Sequence, residues 1–173
     1  MQPTFSSTRI LLPVRPWFIF FSLIAATLLN FLPTAHWPGV PDWVALVLCF
    51  WSVRESHRVG MGWAFVLGLA MDVADGAVLG QHCFAYVLLA YTSTALSRRL
   101  LWFPLGTQAL QVLPLLLATQ AMQALMRLVA GAEFPGWGYF IGPFVATLLW
   151  VPATFILLLP QYRPVEQDPH RPL

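Results

Sequence analysis

The chain has 173 residues, of which 58% are hydrophobic and 9% charged, with a mean hydropathy of +0.70. Soluble domains carry roughly a quarter charged residues, so this balance excludes a soluble enzyme or a nucleic-acid binder and describes a polytopic membrane protein. The net charge of +2 says less than its placement: all nine basic residues are Arg.

Residues 1–15 form a short polar start carrying Arg9 and Arg15. Pro16 to Thr34 reads as a first span, long enough for about one bilayer crossing. Basic residues before an apolar run also describe a secretory signal. This run exceeds the usual h-region, however, and lacks a small-x-small cleavage site, so it reads as a retained anchor. The loop AHWPGVPD leads to a second span, Val40 to Val53, near the lower length limit for a crossing. After the loop RESHR, a third span runs from Val59 to Val73 or Ala74. A corner containing Gly76 and Gly80 precedes the fourth, His82 to about Ser97, which Arg98 and Arg99 close. The fifth, Phe103 to Val129, has Pro104 in its first turn and Pro114 inside, where the carbonyl of Leu110 loses its helical partner. The last, Tyr139 to Leu159, is interrupted by Pro143 and Pro152. The tail, 161–173, is polar, Pro-rich and expected to be disordered.

Six crossings put both termini on one side, and the charges then sort. Eight of the nine arginines share the terminal side, and only Arg127 lies near the other. Lys and Arg accumulate in cytoplasmic loops, so the expected fold is an all-α integral membrane bundle of six transmembrane helices with both termini cytoplasmic. Trp17, Trp51, Trp63, Trp102 and Tyr162 would form an inner aromatic belt, and Trp37, Trp43 and Trp137 an outer one.

This topology places Asp72 and Asp75 at the outer face. Ionisable groups at the end of a membrane segment are costly and point to function or to specific packing. The two are spaced i, i+3 on one helix side, with Gly76 and Gly80 supplying a turn. The plain reading is that they cap and solvate a helix end. The sharper one gives them a cationic partner, Arg127, for which Glu133 competes; snorkelling of Arg127 to headgroups is the alternative. Gln120, Gln123 and Arg127 share one helix face, which should look into the bundle or onto a partner. His82 is expected to hydrogen-bond at a helix start, since no second His or Cys stands at ligand spacing. Ala64/Gly68, Gly68/Asp72, Ser93/Ser97 and Gly142/Ala146 are small pairs that allow close helix approach. Cys49 and Cys83 lack metal-ligand or CxxC spacing and read as small buried hydrophobes.

Catalysis finds little footing. An intramembrane aspartyl protease needs aspartates from two helices, and these share one. No activated serine stands in a suggestive motif. A P-loop, dinucleotide fingerprint or zinc motif is missing as well, so neither an enzyme nor a cofactor is expected.

The run GLAMDVADGAVLGQHCFAYVLLAY, with Gly68, Asp72, Gly76, Leu79, Gly80, His82 and Tyr91 in order, resembles the rod shape-determining MreD family. There a Gly-hydrophobic-Asp helix end passes through a small-residue turn and a Leu-Gly pair into a helix ending in Ala-Tyr. The loop from Pro33 to Pro38 before a short second span also fits. The resemblance implies a non-catalytic inner-membrane scaffold of the cell-elongation complex. Its partners would be the bitopic MreC directly, with MreB, RodA and a class B penicillin-binding protein in the same complex, and membrane lipids around it. It also implies a fold similar to the substrate-binding subunits of energy-coupling-factor vitamin transporters. That keeps a second expectation open, a small-ligand-binding subunit whose outer cavity Trp37, Trp43, Asp72, Asp75 and Trp137 would line. A scaffold should have a packed interior, whereas a ligand-binding subunit should hold a polar cavity of several hundred cubic ångströms.

Overall fold

In hydrocarbon every backbone polar group must find an internal partner, so apolar segments of this kind fold as helices. The computed structural model describes residues 14–32, 39–76 and 78–161, and among them the secondary structure is entirely helical. Six α-helices follow one another: α1 Pro16–Asn30, α2 Trp43–Arg54, α3 Met61–Ala74, α4 Gln81–Leu101, α5 Leu105–Val129 and α6 Ile141–Leu158. Short 3-10 turns, Trp137–Phe140 and Leu159–Gln161, bracket α6. The expected segments at 1–13, 33–38 and 162–173, including Trp37, Tyr162 and most of the tail, lie outside the described residues.

Local chemistry explains the boundaries. Pro16 opens α1 in its first turn, where a missing N–H costs nothing. Asp42 caps α2 by accepting from the Ala45 N–H at 3.0 Å. Pro104 is the N-cap of α5 and stands just before its first turn. Helix α5 runs unbroken through Pro114. Pro143 does not interrupt the last span as expected, because it falls in the first turn of α6; only Pro152 lies inside that helix. Helix α4 continues past the expected Ser97 and carries Arg98 and Arg99 in its last turn, where positive charge complements the helix dipole.

Helix α4 is the hub, packing against α2, α3 and α5, while α6 packs on α5 and α1 on α2. The core joins Leu23, Leu46, Phe50, Trp51, Tyr86 and Val112. Large apolar side chains are also displayed outwards: Phe21 is 60% exposed, Leu110 68%, Leu148 78% and Ile156 61%. A water-soluble monomer rarely displays so many large apolar side chains, and lipid is the natural solvent for them. Two helical stretches, Leu105–Val129 and Trp137–Gln161, are by themselves long and apolar enough to cross a membrane. Helices α1, α2 and α3 are apolar but only 15, 12 and 14 residues long. At 1.5 Å per residue they span about 18–22 Å, less than the ~30 Å of a hydrocarbon core. The build is that of a multi-helix membrane protein, with two crossings evident from length and apolarity alone.

One aromatic assignment is corrected. Trp51 is not at an interface: it is fully buried, its Nε1–H donating to Ser22 Oγ at 2.8 Å. Trp150 is buried too, yet its Nε1–H has no partner. The pair therefore predicts opposite responses to loss of the indole N–H. Trp51→Phe should lower the Tm of purified protein, whereas Trp150→Phe should leave it unchanged or raise it. An unmade buried hydrogen bond costs about 1–3 kcal/mol, and equal losses in both variants would refute this reading.

Candidate functional site

The α3–α4 corner is built around one carboxylate. Asp72 is buried at 1% exposure on the last turn of α3. A helix leaves its first N–H groups without intrahelical partners, and α4 has no capping side chain of its own because Gly80 occupies its N-cap. Asp72 supplies what is missing from the neighbouring helix. Its Oδ2 accepts from the Gly80 N–H at 2.8 Å and the Cys83 N–H at 3.4 Å, and its Oδ1 from the His82 N–H at 2.7 Å. The Gln81 N–H donates to Val78 O at 3.0 Å. Every orphan donor at the start of α4 is thereby satisfied, and a negative charge rests at the positive end of the helix dipole.

The glycines are there for stated reasons. Gly80 has φ +105° and Gly76 φ +57°, conformations that cost a side-chain-bearing residue energy. Gly68 lies one turn before Asp72, where a Cβ would collide with Cys83 Cα and sit 2.6 Å from its backbone nitrogen. Gly68→Ala should thus force α3 and α4 apart, at a cost of about 1–3 kcal/mol for an overpacked contact. Gly62→Ala, on the same helix with open space around it, should be neutral or slightly stabilising. Thermal unfolding of the two variants side by side checks the contrast.

His82 lies between the two aspartates but hydrogen-bonds only one of them. Its Nδ1 lies 2.9 Å from Asp72 Oδ1 and its Nε2 3.7 Å from Asp75 Oδ2. A carboxylate only accepts, so Nδ1 carries the hydrogen. The helix-start role expected of His82 is present, but Asp72 and Asp75 do not act as a pair. Asp72 is consumed by α4, and Asp75 is the C-cap of α3 with its side chain partly exposed. The expected ion pair from Arg127 to either aspartate does not occur among the described residues, nor does one to Glu133; the ion pairs there are those of His82 and Arg58–Glu55.

A second polar centre, at Asp42, was not singled out from the sequence. Besides capping α2, Asp42 Oδ1 accepts from Asn30 Nδ2 at 2.9 Å, while Asn30 Oδ1 accepts from the Trp43 N–H at 2.9 Å. Asp42 Oδ2 accepts from the Tyr86 hydroxyl at 2.7 Å and from Gln123 Nε2 at 3.4 Å. The Tyr139 hydroxyl then donates to Gln123 Oε1 at 2.6 Å. One carboxylate so links α1, α2, α4 and α5, with the turn before α6 joined through Gln123. The only sequence signals were an Asp just before an apolar run and the Gln123 position of the α5 polar stripe.

Between these two centres lies a cavity of about 690 Å³. Gln120, Gln123 and Arg127 line it, as the inward-facing stripe required, opposite Asp75 and His82. The packed interior expected of a scaffold is therefore not what this end of the bundle shows. Nor is the lining the expected one: Asp75 belongs to it, but Asp72, Trp43 and Trp137 do not, and Trp137 is 83% exposed. Cys49 and Cys83 are free and buried. Cys49 touches Ser93 Oγ at 3.4 Å, where α2 meets α4. Among the described residues, no three His, Cys, Asp or Glu side chains gather as a metal site.

Buried polar side chains that join apolar helices, with large apolar side chains turned outwards, define a multi-helix membrane protein. Residues 8–160 match the family described as rod shape-determining protein MreD, and the chain belongs to that family. A relative from Haemophilus influenzae, itself described as rod shape-determining protein MreD, is 29% identical over 154 residues, covering 84% of this chain and 91% of that protein. No solved structure matches the chain.

Proposed function

We propose that the protein is a six-pass inner-membrane scaffold of the cell-elongation complex. It binds MreC and thereby holds peptidoglycan synthesis by RodA and its class B penicillin-binding partner in register with the MreB cytoskeleton. Membership of the rod shape-determining family carries this reading. Both termini face the cytoplasm. The hydrogen bonds support alternating threading: the end of α1, the start of α2, the α3–α4 corner and the outer part of α5 all meet at one end. At the opposite end, Arg58 Nη1 donates to Val14 O at 2.6 Å, bringing the 54–58 loop beside the start of α1. The arginine-rich loops fall at that end, as the positive-inside rule asks of a cytoplasmic face. The Asp72–His82 corner then faces the periplasm and presents exposed Val78 and Leu79 to the partner. Depleting the protein from a rod-shaped host should turn rods into spheres, and re-expression should restore them. Swelling without loss of rod shape would count against the scaffold.

The cavity favours a second reading, a substrate-binding subunit of a small-molecule transporter, because a polar chamber of this volume is the usual size of a ligand site. A growth defect cured by a vitamin, with normal shape, would support it.

A further inference from the structure

The two charged groups facing the cavity from the end of α3 and from α5, Asp75 and Arg127, make no close ion pair. Asp42, the other carboxylate on its wall, has both oxygens filled by Asn30, Ala45, Tyr86 and Gln123. Asp75 has only the long 3.7 Å approach of His82 Nε2. Arg127 makes no ion pair with another described residue. Asp75 and Arg127 therefore line one chamber with opposite charges that do not touch, and Gln120, on the same helix as Arg127, adds an amide donor and acceptor to the wall. A lone anion would leave Asp75 repelling it, and a lone cation would meet Arg127. The complement to this wall is a molecule carrying both charges.

We propose that the cavity binds a small zwitterion, its anionic group on the Arg127 guanidinium and its ammonium on the Asp75 carboxylate. Charge-assisted hydrogen bonds at each end supply affinity, and the gap between the two groups selects ligand length. The inference rests on the cavity alone and holds whichever reading of function is correct. Two sources share this chemistry: a free amino acid or short peptide, and the phosphoethanolamine headgroup of a lipid.

The test is calorimetric titration of the full chain in detergent with glycine, glycylglycine, triglycine and O-phosphoethanolamine, using acetate and methylammonium as single-charge controls. One or more zwitterions should bind at least roughly tenfold more tightly than either control, and Arg127→Gln and Asp75→Asn should each weaken that binding about tenfold or more. Both side chains are partly exposed and unpaired or nearly so, so the variants should keep the wild-type Tm, which is measured alongside. Preference for a glycine peptide assigns the free source. Preference for O-phosphoethanolamine, with binding suppressed in phosphatidylethanolamine nanodiscs but not in phosphatidylglycerol ones, assigns the lipid. No heat from any zwitterion, equal binding of the controls, or unchanged affinity in folded Arg127→Gln protein would overturn the proposal.

Discussion

Asp72→Ala should be the most damaging single substitution in the chain, lowering stability by about 3–5 kcal/mol, the usual loss when one member of a buried charged network is removed. The N–H groups of Gly80, His82 and Cys83 would each lose their acceptor, which is itself buried at 1% exposure. His82 would lose its strong partner as well. Thermal unfolding in mild detergent should show a fall in Tm of about 10 °C. Asp72→Asn, which keeps one acceptor oxygen, should fall between alanine and wild type. A wild-type Tm in the alanine variant would mean that α4 starts without help from α3.

Asp42→Ala should come second, at about 2–4 kcal/mol, because one carboxylate serves four donors on four elements. Tyr86→Phe removes only one of those bonds and should cost about 1 kcal/mol. Since the two side chains share that bond, the double variant should be less destabilised than the sum of the singles. Strict additivity would show that the Tyr86–Asp42 contact contributes nothing.

The two carboxylates differ in how readily the sequence betrays them. Asp72 sits in a continuous stretch whose glycines, second aspartate and histidine advertise a corner, and Gly68 stands one helical turn before it. What sequence could not supply was direction: Asp72 caps the helix after it rather than ending its own. Asp42 lies in a loop that reads as a connector, and its distant partners Asn30, Tyr86 and Gln123 come from segments 12 to 81 positions away, with Tyr139 joined only through Gln123. Periodicity along one helix cannot reveal convergence among five elements. The Arg127 pairing failed for a related reason. Matching depth along two helices does not bring side chains together when a cavity separates them. Trp51 misled because an aromatic near a helix end suits an interface or a core equally well, and only packing against Phe18 and Phe50 decides.

The helix order was readable because capping and breaking residues carry local signals: Pro16, Gly76, Gly80 and Pro104 all stand at element ends. Crossing number is less readable. The short α2 has nine buried residues among its 12, so an apolar run of that length serves as well for burial among neighbours as for facing lipid.

The proposed role of the corner in assembly is tested most directly by co-purification of MreC with the wild-type chain, Asp72→Ala and the tail variant Glu166→Ala, from mild detergent at matched amounts of folded protein. MreC should be retained by the wild type and by Glu166→Ala and largely lost from Asp72→Ala. Failure of the wild type to retain MreC, or full retention by folded Asp72→Ala, would contradict the scaffold built on that corner.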